Sequence, residues 1–133
     1  MKIKILAVLV AALVTPLAGI AEVYTLSNGT VVDGQFVNGR EHGHFVITLS
    51  DGTVMKGLYV DGLKHGNWVY QTGGMVVGVP YVDGLKHGNS VNIFPDGAVM
   101  EGAYAHDLKH GRWVMKYPNG MVIESHYVNG LKQ

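Results

Sequence analysis

The sequence predicts an all-β protein: a single-layer antiparallel meander of stacked β-hairpins that forms a rod. Three observations predict this fold class. A motif of 22 or 23 residues recurs along the chain, turn-forming pairs occur in every repeat, and large hydrophobic residues alternate with other residues between the turns. Alternation with a period of two is typical of strands, whereas an amphipathic helix has a period near about 3.6.

Two columns of residues define the repeat. The dipeptide His-Gly recurs with spacings of 23, 22 and 23 residues, and a second glycine column has spacings of 23, 22, 23 and 23. One residue is therefore missing from the repeat between Gly66 and Gly74. The predicted units are residues 22–43, 44–66, 67–88, 89–111 and 112–133. They account for the chain after residue 21, so no segment remains within it for a separate catalytic domain.

Each unit is predicted to contain two strands and two turns. The second glycine column is preceded by asparagine, aspartate or glycine, and such pairs favour two-residue hairpin loops because both residues tolerate positive φ. An aromatic column follows each of these turns. Its members are Phe36, Tyr59, Tyr81, Tyr104 and Tyr127. A second turn, Asp-Gly-Leu-Lys-His-Gly in the middle units, joins one unit to the next.

Residues 1–21 are predicted to be a secretory signal peptide. Lys2 and Lys4 precede ten uncharged apolar residues, and the small residues Gly19 and Ala21 resemble a cleavage site. We therefore predict cleavage after Ala21 and export to the periplasm or the extracellular space. The alternative is a retained membrane anchor, but ten apolar residues fall short of the roughly 20 that span a bilayer.

Composition excludes several functional classes. Ten Lys and Arg residues balance ten Asp and Glu residues, so the broad basic surface of a nucleic-acid-binding protein is not expected. The chain has no cysteine, which excludes disulfides, thiolate metal sites and cysteine nucleophiles.

Several motifs resemble the MORN (membrane occupation and recognition nexus) repeat. They are Gly66-Asn67-Trp68, Gly111-Arg112-Trp113, Phe94-Pro95-Asp96-Gly97, Tyr117-Pro118-Asn119-Gly120, Glu101-Gly102-Ala103-Tyr104 and the Asp-Gly-Leu-Lys-His-Gly turns. The resemblance covers residues 22–133 and suggests a bacterial exported form of the family. It implies a twisted rod of hairpins that serves as a binding or targeting module, with catalysis, where present, in a separate attached domain.

The chain departs from this pattern in its middle. Val79-Pro80 stands where other units have Gly-x, and Ser90 replaces the tryptophan. Asp107 also replaces the glycine of the second turn.

No metal site, cofactor site or catalytic site is predicted, and the protein is not expected to be an enzyme. Equivalent histidines in successive units should lie roughly 9–10 Å apart, too far to share an ion that requires ligands at about 2.0–2.1 Å. The histidines are therefore interpreted as structural turn residues, with a pH response left open. Stacked Glu101 and Glu124 are the one carboxylate pair that a hydrolase could use, and this is the least favoured function.

Two sets of residues are candidates for binding. The aromatic candidates are Phe45, Trp68, Tyr81, Tyr104 and Trp113, and the basic ridge consists of Lys64, Lys86, Lys109 and Lys132. The leading hypothesis is a non-catalytic module that binds or scaffolds another protein through the aromatic face and the exposed end strands. Self-association through the C-terminal edge is one form of that contact. The alternative is peripheral binding of a membrane surface or an envelope polymer through the lysines.

Overall fold

A computed structural model describes residues 20–133, which form one open antiparallel β-sheet. The predicted all-β meander is confirmed for this part of the chain. The strands are β1 (Ile20–Thr25), β2 (Val31–Val37), β3 (Arg40–Glu41), β4 (Gly43–Thr48), β5 (Val54–Val60), β6 (Leu63–Thr72), β7 (Met75–Val82), β8 (Leu85–Lys86), β9 (Gly88–Ile93), β10 (Val99–Ala105), β11 (Leu108–Lys116), β12 (Val122–Val128) and β13 (Leu131–Lys132).

The predicted signal peptide falls almost entirely outside the described residues, so it stays a prediction. Its last two residues are the exception, because Ile20 and Ala21 begin β1 and pair with Phe36 and Gln35 of β2. Cleavage after Ala21 would therefore remove two of the six residues of this strand.

Strands that follow each other along the chain are neighbours in the sheet. The order is β1-β2-β4-β5-β6-β7-β9-β10-β11-β12-β13, and the two-residue strands β3 and β8 fold back onto β2 and β7. In the second and fourth repeats, the residues equivalent to β3 and β8 are the first residues of the longer strands β6 and β11. A register shift marks this junction, where the backbone of Gly66 and Gly111 has positive φ values of 68° and 76°.

The turns at the second glycine column differ from the prediction. Four of the five are three-residue loops, as at Ser27-Asn28-Gly29, where the Gly29 N–H donates to the Leu26 carbonyl at 3.0 Å. Only the glycine has positive φ there, 84° at Gly29. The prediction of two-residue loops holds only for Gly73-Gly74, where both φ values are positive (53° and 81°) and Thr72 pairs with Met75. This shorter loop accounts for the residue missing from that repeat.

The second turns are the regular two-residue hairpins. Asp61 and Gly62 both have positive φ, 49° and 81°, as a type I′ turn requires. Asn38, Asp83 and Asn129 adopt the same conformation before a glycine. At His106-Asp107 two non-glycine residues take it, with φ of 49° and 71°.

The hydrophobic core covers one face of the sheet and is built from aromatic rings. The Tyr59 ring lies edge-on between Phe45 and Trp68, with centroid separations of 4.9 Å to each. Its buried members are Val32, Phe36, Phe45, Trp68, Val79 and Tyr81. Large side chains bury this face without a second layer because the rings lie along the sheet and cover each other.

The opposite face carries exposed aliphatic residues. Because side chains alternate along a strand, residues next to the aromatic column point to this second face. We call the set at the second turns the aliphatic stripe. Its members are Val60, Leu63, Val82, Leu85, Leu108, Val128 and Leu131, each at least 36% exposed.

Candidate interaction surfaces

The two predicted sets of binding residues lie on the same face of the sheet. Each lysine of the ridge is directly opposite a tyrosine of the aromatic column in a hairpin, as in the pair Tyr59–Lys64. The same register joins Tyr81 to Lys86, Tyr104 to Lys109, and Tyr127 to Lys132. The rings and the lysines were predicted from the sequence as two separate binding sites, whereas the fold places them together on one surface.

Three lysines of the ridge, Lys64, Lys86 and Lys109, lie over aromatic rings as cations over π-systems. The Lys64 Nζ is 4.4 Å from the centroid of the Trp68 ring, and the Lys109 Nζ is 4.4 Å from that of Trp113. Lys64 also donates a hydrogen bond to the Tyr70 hydroxyl at 2.8 Å. These contacts hold the ammonium groups of Lys64 and Lys109 close to the sheet. Both lysines are half-buried.

Most of the predicted aromatic binding residues belong to the core. Phe45, Trp68, Tyr81 and Trp113 are only 2%, 0%, 8% and 2% exposed. Each tryptophan also donates its indole N–H to a backbone carbonyl at 3.0 Å. These four side chains therefore offer almost no surface to a partner, and among the five candidates Tyr104 alone is half-buried. Binding by this face stays a prediction.

Three of the buried rings each lie on the backbone of a glycine eleven residues earlier in the chain. A Cβ added to Gly34, Gly57 or Gly102 would overlap the ring of Phe45, Trp68 or Trp113, respectively. We call each such place a ring site. These glycines were missed as determinants of the candidate surface, although the constant spacing of eleven residues between glycine and ring was a signal in the sequence.

The third ring site is different because Val79 occupies the glycine position and Ser90 the ring position. Val79 is buried, and the Ser90 Oγ donates to the Gly78 carbonyl at 2.9 Å. An open depression of about 260 Å³ remains there, and it is lined by Tyr70, Val77, Val79, Tyr81 and Lys86.

The core tyrosines are poor acids in this environment. Burial raises the pKa of Tyr59 to about 12 and that of Tyr81 to about 12. The Tyr70 and Tyr81 hydroxyls are 3.0 Å apart and share a hydrogen bond. At neutral pH these phenols therefore act as hydrogen-bonding groups and not as bases.

The two glutamates considered for hydrolysis are engaged in exposed ion pairs. Glu101 accepts from the Lys116 Nζ at 2.9 Å, and Glu124 pairs with Arg112. The hydrogen bond from Arg112 lowers the pKa of Glu124. A general acid needs a raised carboxyl pKa, so this geometry works against that role for Glu124.

Two histidines of the His-Gly dipeptides connect neighbouring repeats through hydrogen bonds. The His42 Nδ1 accepts a hydrogen bond from the Asp61 N–H at 3.3 Å, and the His110 Nδ1 accepts one from the Asn129 N–H at 3.4 Å. The equivalent His65 Nδ1 lies 3.8 Å from an Asp83 carboxylate oxygen. Within residues 20–133 no three potential ligands are grouped to hold a metal ion.

The part of the chain that the structure describes contains no helix of the length and hydrophobicity needed to cross a membrane.

Comparison with protein families agrees with the repeat geometry. The MORN repeat model matches residues 33–54 and 101–122, and no curated protein matches the chain. MORN repeats generally mediate interactions with proteins or membrane lipids, and the family is typically non-catalytic. Each matched segment contains one three-residue turn, which ends at Gly52 or Gly120, and the glycine of one ring site, Gly34 or Gly102. Residues 33–54 and 101–122 of the chain are therefore MORN repeats.

Proposed function

We propose that this protein is a non-catalytic repeat module that mediates protein–protein interaction or scaffolding in the periplasm or the extracellular space. The observation that carries this proposal is the aliphatic stripe, which leaves leucine and valine side chains in water along the outer face. Leu63, Leu85 and Leu108 are 48%, 42% and 46% exposed. Exposed aliphatic residues in such a continuous row are typical of a surface that a protein partner covers.

Neighbouring turns also pack against each other along the stripe, which favours recognition over nonspecific adhesion. The Leu63 side chain packs against Gly84 of the next turn, where an added Cβ would lie 3.3 Å from Leu63 Cδ2. Leu108 packs in the same way against Gly130. A surface with fixed side chains costs less conformational entropy to bind than a mobile one.

Export is part of the proposal and rests on residues 1–21. The basic start, short apolar run and small residues before Glu22 support secretion. The test is fractionation of cells that produce the full chain, followed by N-terminal sequencing of the product. We expect the product in the periplasm or medium, beginning at Glu22; an uncleaved cytoplasmic product would contradict the proposal.

The interaction is tested by cross-linking in intact cells, followed by mass spectrometry. A variant with Leu63→Ser, Leu85→Ser and Leu108→Ser should lose the captured protein. The matched control is Val23→Ser, Ile93→Ser and Met121→Ser, because these residues are similarly or more exposed but lie off the stripe. Capture of the same protein by both variants would contradict binding through the stripe.

Self-association is a second form of the same proposal. In the described sheet, β12 pairs with β13 only at Tyr127 and Val128, and Val122 and Ile123 along its outer edge are 52% and 46% exposed. Unpaired strand edges of this kind can accept another strand. Self-links that map to residues 119–133 would support this form, and their absence would exclude it.

The second candidate function is binding of a lipid surface or an envelope polymer through the basic ridge. It is favoured by the alignment of Lys64, Lys86 and Lys109 along one face, and weakened by their half-buried positions over aromatic rings. Sedimentation with anionic vesicles or cell-wall polymer should then weaken with rising salt. Unchanged binding after Lys64→Glu, Lys86→Glu and Lys109→Glu together would eliminate this function.

A further inference from the structure

The regular ring sites show what the third one lacks. At the second site the Trp68 ring lies on Gly57, contacts Tyr59, and is covered by the Lys64 ammonium group. The corresponding groups at the third site are Val79, Tyr81 and Lys86, which follow Gly57, Tyr59 and Lys64 by 22 residues. All three line the open depression. The depression is therefore the place that a tryptophan ring fills in a regular repeat.

Lys86 lies at the position where Lys64 and Lys109 cover a tryptophan ring in their repeats. Lys64 and Lys109 each contact two kinds of ring: a tryptophan at 4.4 Å and the next tyrosine of the column at 5.3 Å or 5.1 Å. Lys86 retains the second contact, with its Nζ 5.1 Å from the Tyr104 centroid. Ser90 supplies no ring for the first contact.

The backbone at Lys86 is held on both sides. Its carbonyl accepts from the Asp107 N–H at 2.9 Å, as the equivalent carbonyls accept from glycine N–H groups in other repeats. In addition, the Asp107 Oδ1 accepts from the Lys86 N–H at 2.7 Å. This second bond exists because an aspartate replaces the turn glycine. The lysine beside the depression is therefore anchored before any ligand arrives.

We propose that the third ring site binds an aromatic side chain, an indole in first place, of a protein partner. The inference rests on the proposed protein-binding function and assigns it a specific pocket. Charge complementarity supports the choice of occupant, since an ammonium group attracts the negative face of an electron-rich ring. The Tyr70 and Tyr81 hydroxyls add hydrogen-bonding groups at the rim, where an indole N–H can donate.

The dimensions agree with one ring. A closed apolar cavity of about 150 Å³ holds benzene, and the depression measures about 260 Å³. Val79 raises its floor relative to glycine, so the guest ring is expected to lie higher than Trp68 does at the second site and to remain partly accessible.

The first test is a titration of the protein with N-acetyl-tryptophanamide, in which binding is monitored through changes in the NMR chemical shifts of the backbone amides. We expect saturable shifts concentrated at Val77, Val79, Tyr81 and Lys86, and weaker binding of N-acetyl-leucinamide. Equal binding of both probes, or shifts spread evenly over the sheet, would overturn the proposal.

Variants of the chain sharpen this test. Val79→Gly together with Ser90→Trp recreates the glycine and ring of the neighbouring sites, so the protein's own indole should fill the depression and abolish the saturable shifts. Lys86→Met should weaken probe binding about threefold by removing the cation. Lys109→Met is the matched control, because its ring site is already filled by Trp113, and it should leave the dissociation constant unchanged. Undiminished probe binding by either the filled variant or Lys86→Met would overturn the assignment.

Capture of a partner in cells separates the two proposals. If the filled variant loses a protein that the wild-type chain captures, the pocket is part of the interface. If it captures that protein as well as wild type does, the pocket assignment fails while the proposed function stands. If the wild-type chain captures no protein, the proposed function itself fails.

Discussion

The second and third ring sites occupy equivalent positions in the repeat and have opposite contents. At the second, the smallest residue, Gly57, supports the largest, Trp68, which is completely buried. At the third, Val79 and Ser90 divide the space more evenly and leave part of it open. The glycine position and the ring position change together, because a Cβ at the first and an indole at the second cannot occupy the same volume. The difference shows that this fold requires a filled surface at each repeat but does not require one particular pair.

The ladder of aromatic contacts shows the same interruption. Ring contacts run from Tyr24 to Tyr81 through Trp68 and resume with Tyr104 and Trp113. Among the described residues no ring pair joins Tyr81 to Tyr104. The replacement of glycine and tryptophan by Val79 and Ser90 therefore interrupts the series of ring pairs, although Tyr104 still packs against the core cluster that contains Tyr81. Variants should distinguish the second and third sites most clearly at this point.

The largest effect is expected from removing the ring of the second site. Trp68→Ala should lower the free energy of unfolding by about 3–5 kcal/mol, because it deletes the most buried large side chain and leaves a cavity. Urea unfolding of the protein measures this. Ser90→Ala at the third site is the comparison, and it should cost only about 1 kcal/mol for the lost hydrogen bond to Gly78. Equal losses would show that the two sites do not differ energetically.

The next effect concerns the glycine beneath the ring. Gly57→Ala should cost about 1–3 kcal/mol, because its Cβ would overlap the Trp68 ring and force it from its position. Gly78→Ala is the matched control in β7, where an added Cβ meets only the Val91 carbonyl oxygen at 3.8 Å. The control should change the urea midpoint little. A Gly57→Ala protein as stable as wild type would refute the close contact.

A smaller effect is expected at the turn that anchors Lys86. Asp107→Ala should lose about 1–2 kcal/mol, since it removes the bond to the Lys86 N–H and keeps a non-glycine residue at positive φ. Asp107→Gly loses the same bond but relieves the backbone, so its midpoint should lie close to wild type. If Asp107→Gly is as damaging as Asp107→Ala, backbone strain is not part of the cost.

The smallest effect is a dependence of stability on alkaline pH. Burial raises the pKa of Tyr59 and of Tyr81 to about 12, above the value of about 10 in an unfolded chain. The neutral phenols are favoured by the fold, so their contribution is complete below about pH 10 and is lost as the pH rises toward 12. Tyr59 is only half-buried, which keeps its contribution modest.

Urea midpoints between pH 9 and pH 11.5 measure this loss. The double variant Tyr59→Phe and Tyr81→Phe should show a shallower decline than wild type, because it has no phenols to ionise at these positions. An identical decline in both proteins would assign the alkaline loss to other groups. The single variants then separate the contribution of Tyr59 from that of Tyr81.

Sequence reasoning recovered the fold because its signals are local. Strand alternation and turn glycines are visible within a few residues, and the 23-residue period spans only two neighbouring strands. All three signals agreed with the meander. The turn type at the second glycine column was predicted wrongly for four loops, because Asn-Gly and Asp-Gly fit both a two-residue loop and a three-residue loop with glycine in the last position. The missing residue beside Gly74 was the clue that separated the two cases.

The candidate surface was predicted less well. Phe45, Trp68 and Trp113 were assigned to a partner, but glycines on the neighbouring strand let these rings lie down on the sheet and bury each other. Burial of this kind depends on cross-strand register, which composition and periodicity do not reveal. The pairing of Lys64 with Tyr59 was likewise available only from the register of the hairpin.

The amino-acid sequence was enough to predict the repeat, the strands, the positions of the turns and the resemblance to MORN repeats, because all of these depend on patterns within one or two neighbouring strands. Which surface is free depends on the tertiary structure. Packing between strands placed the aromatic rings in the core, set the lysines over them, left the aliphatic stripe in water and opened the third ring site. These features depend on which side chains of different strands pack against each other, and that packing exists only after the strands have paired.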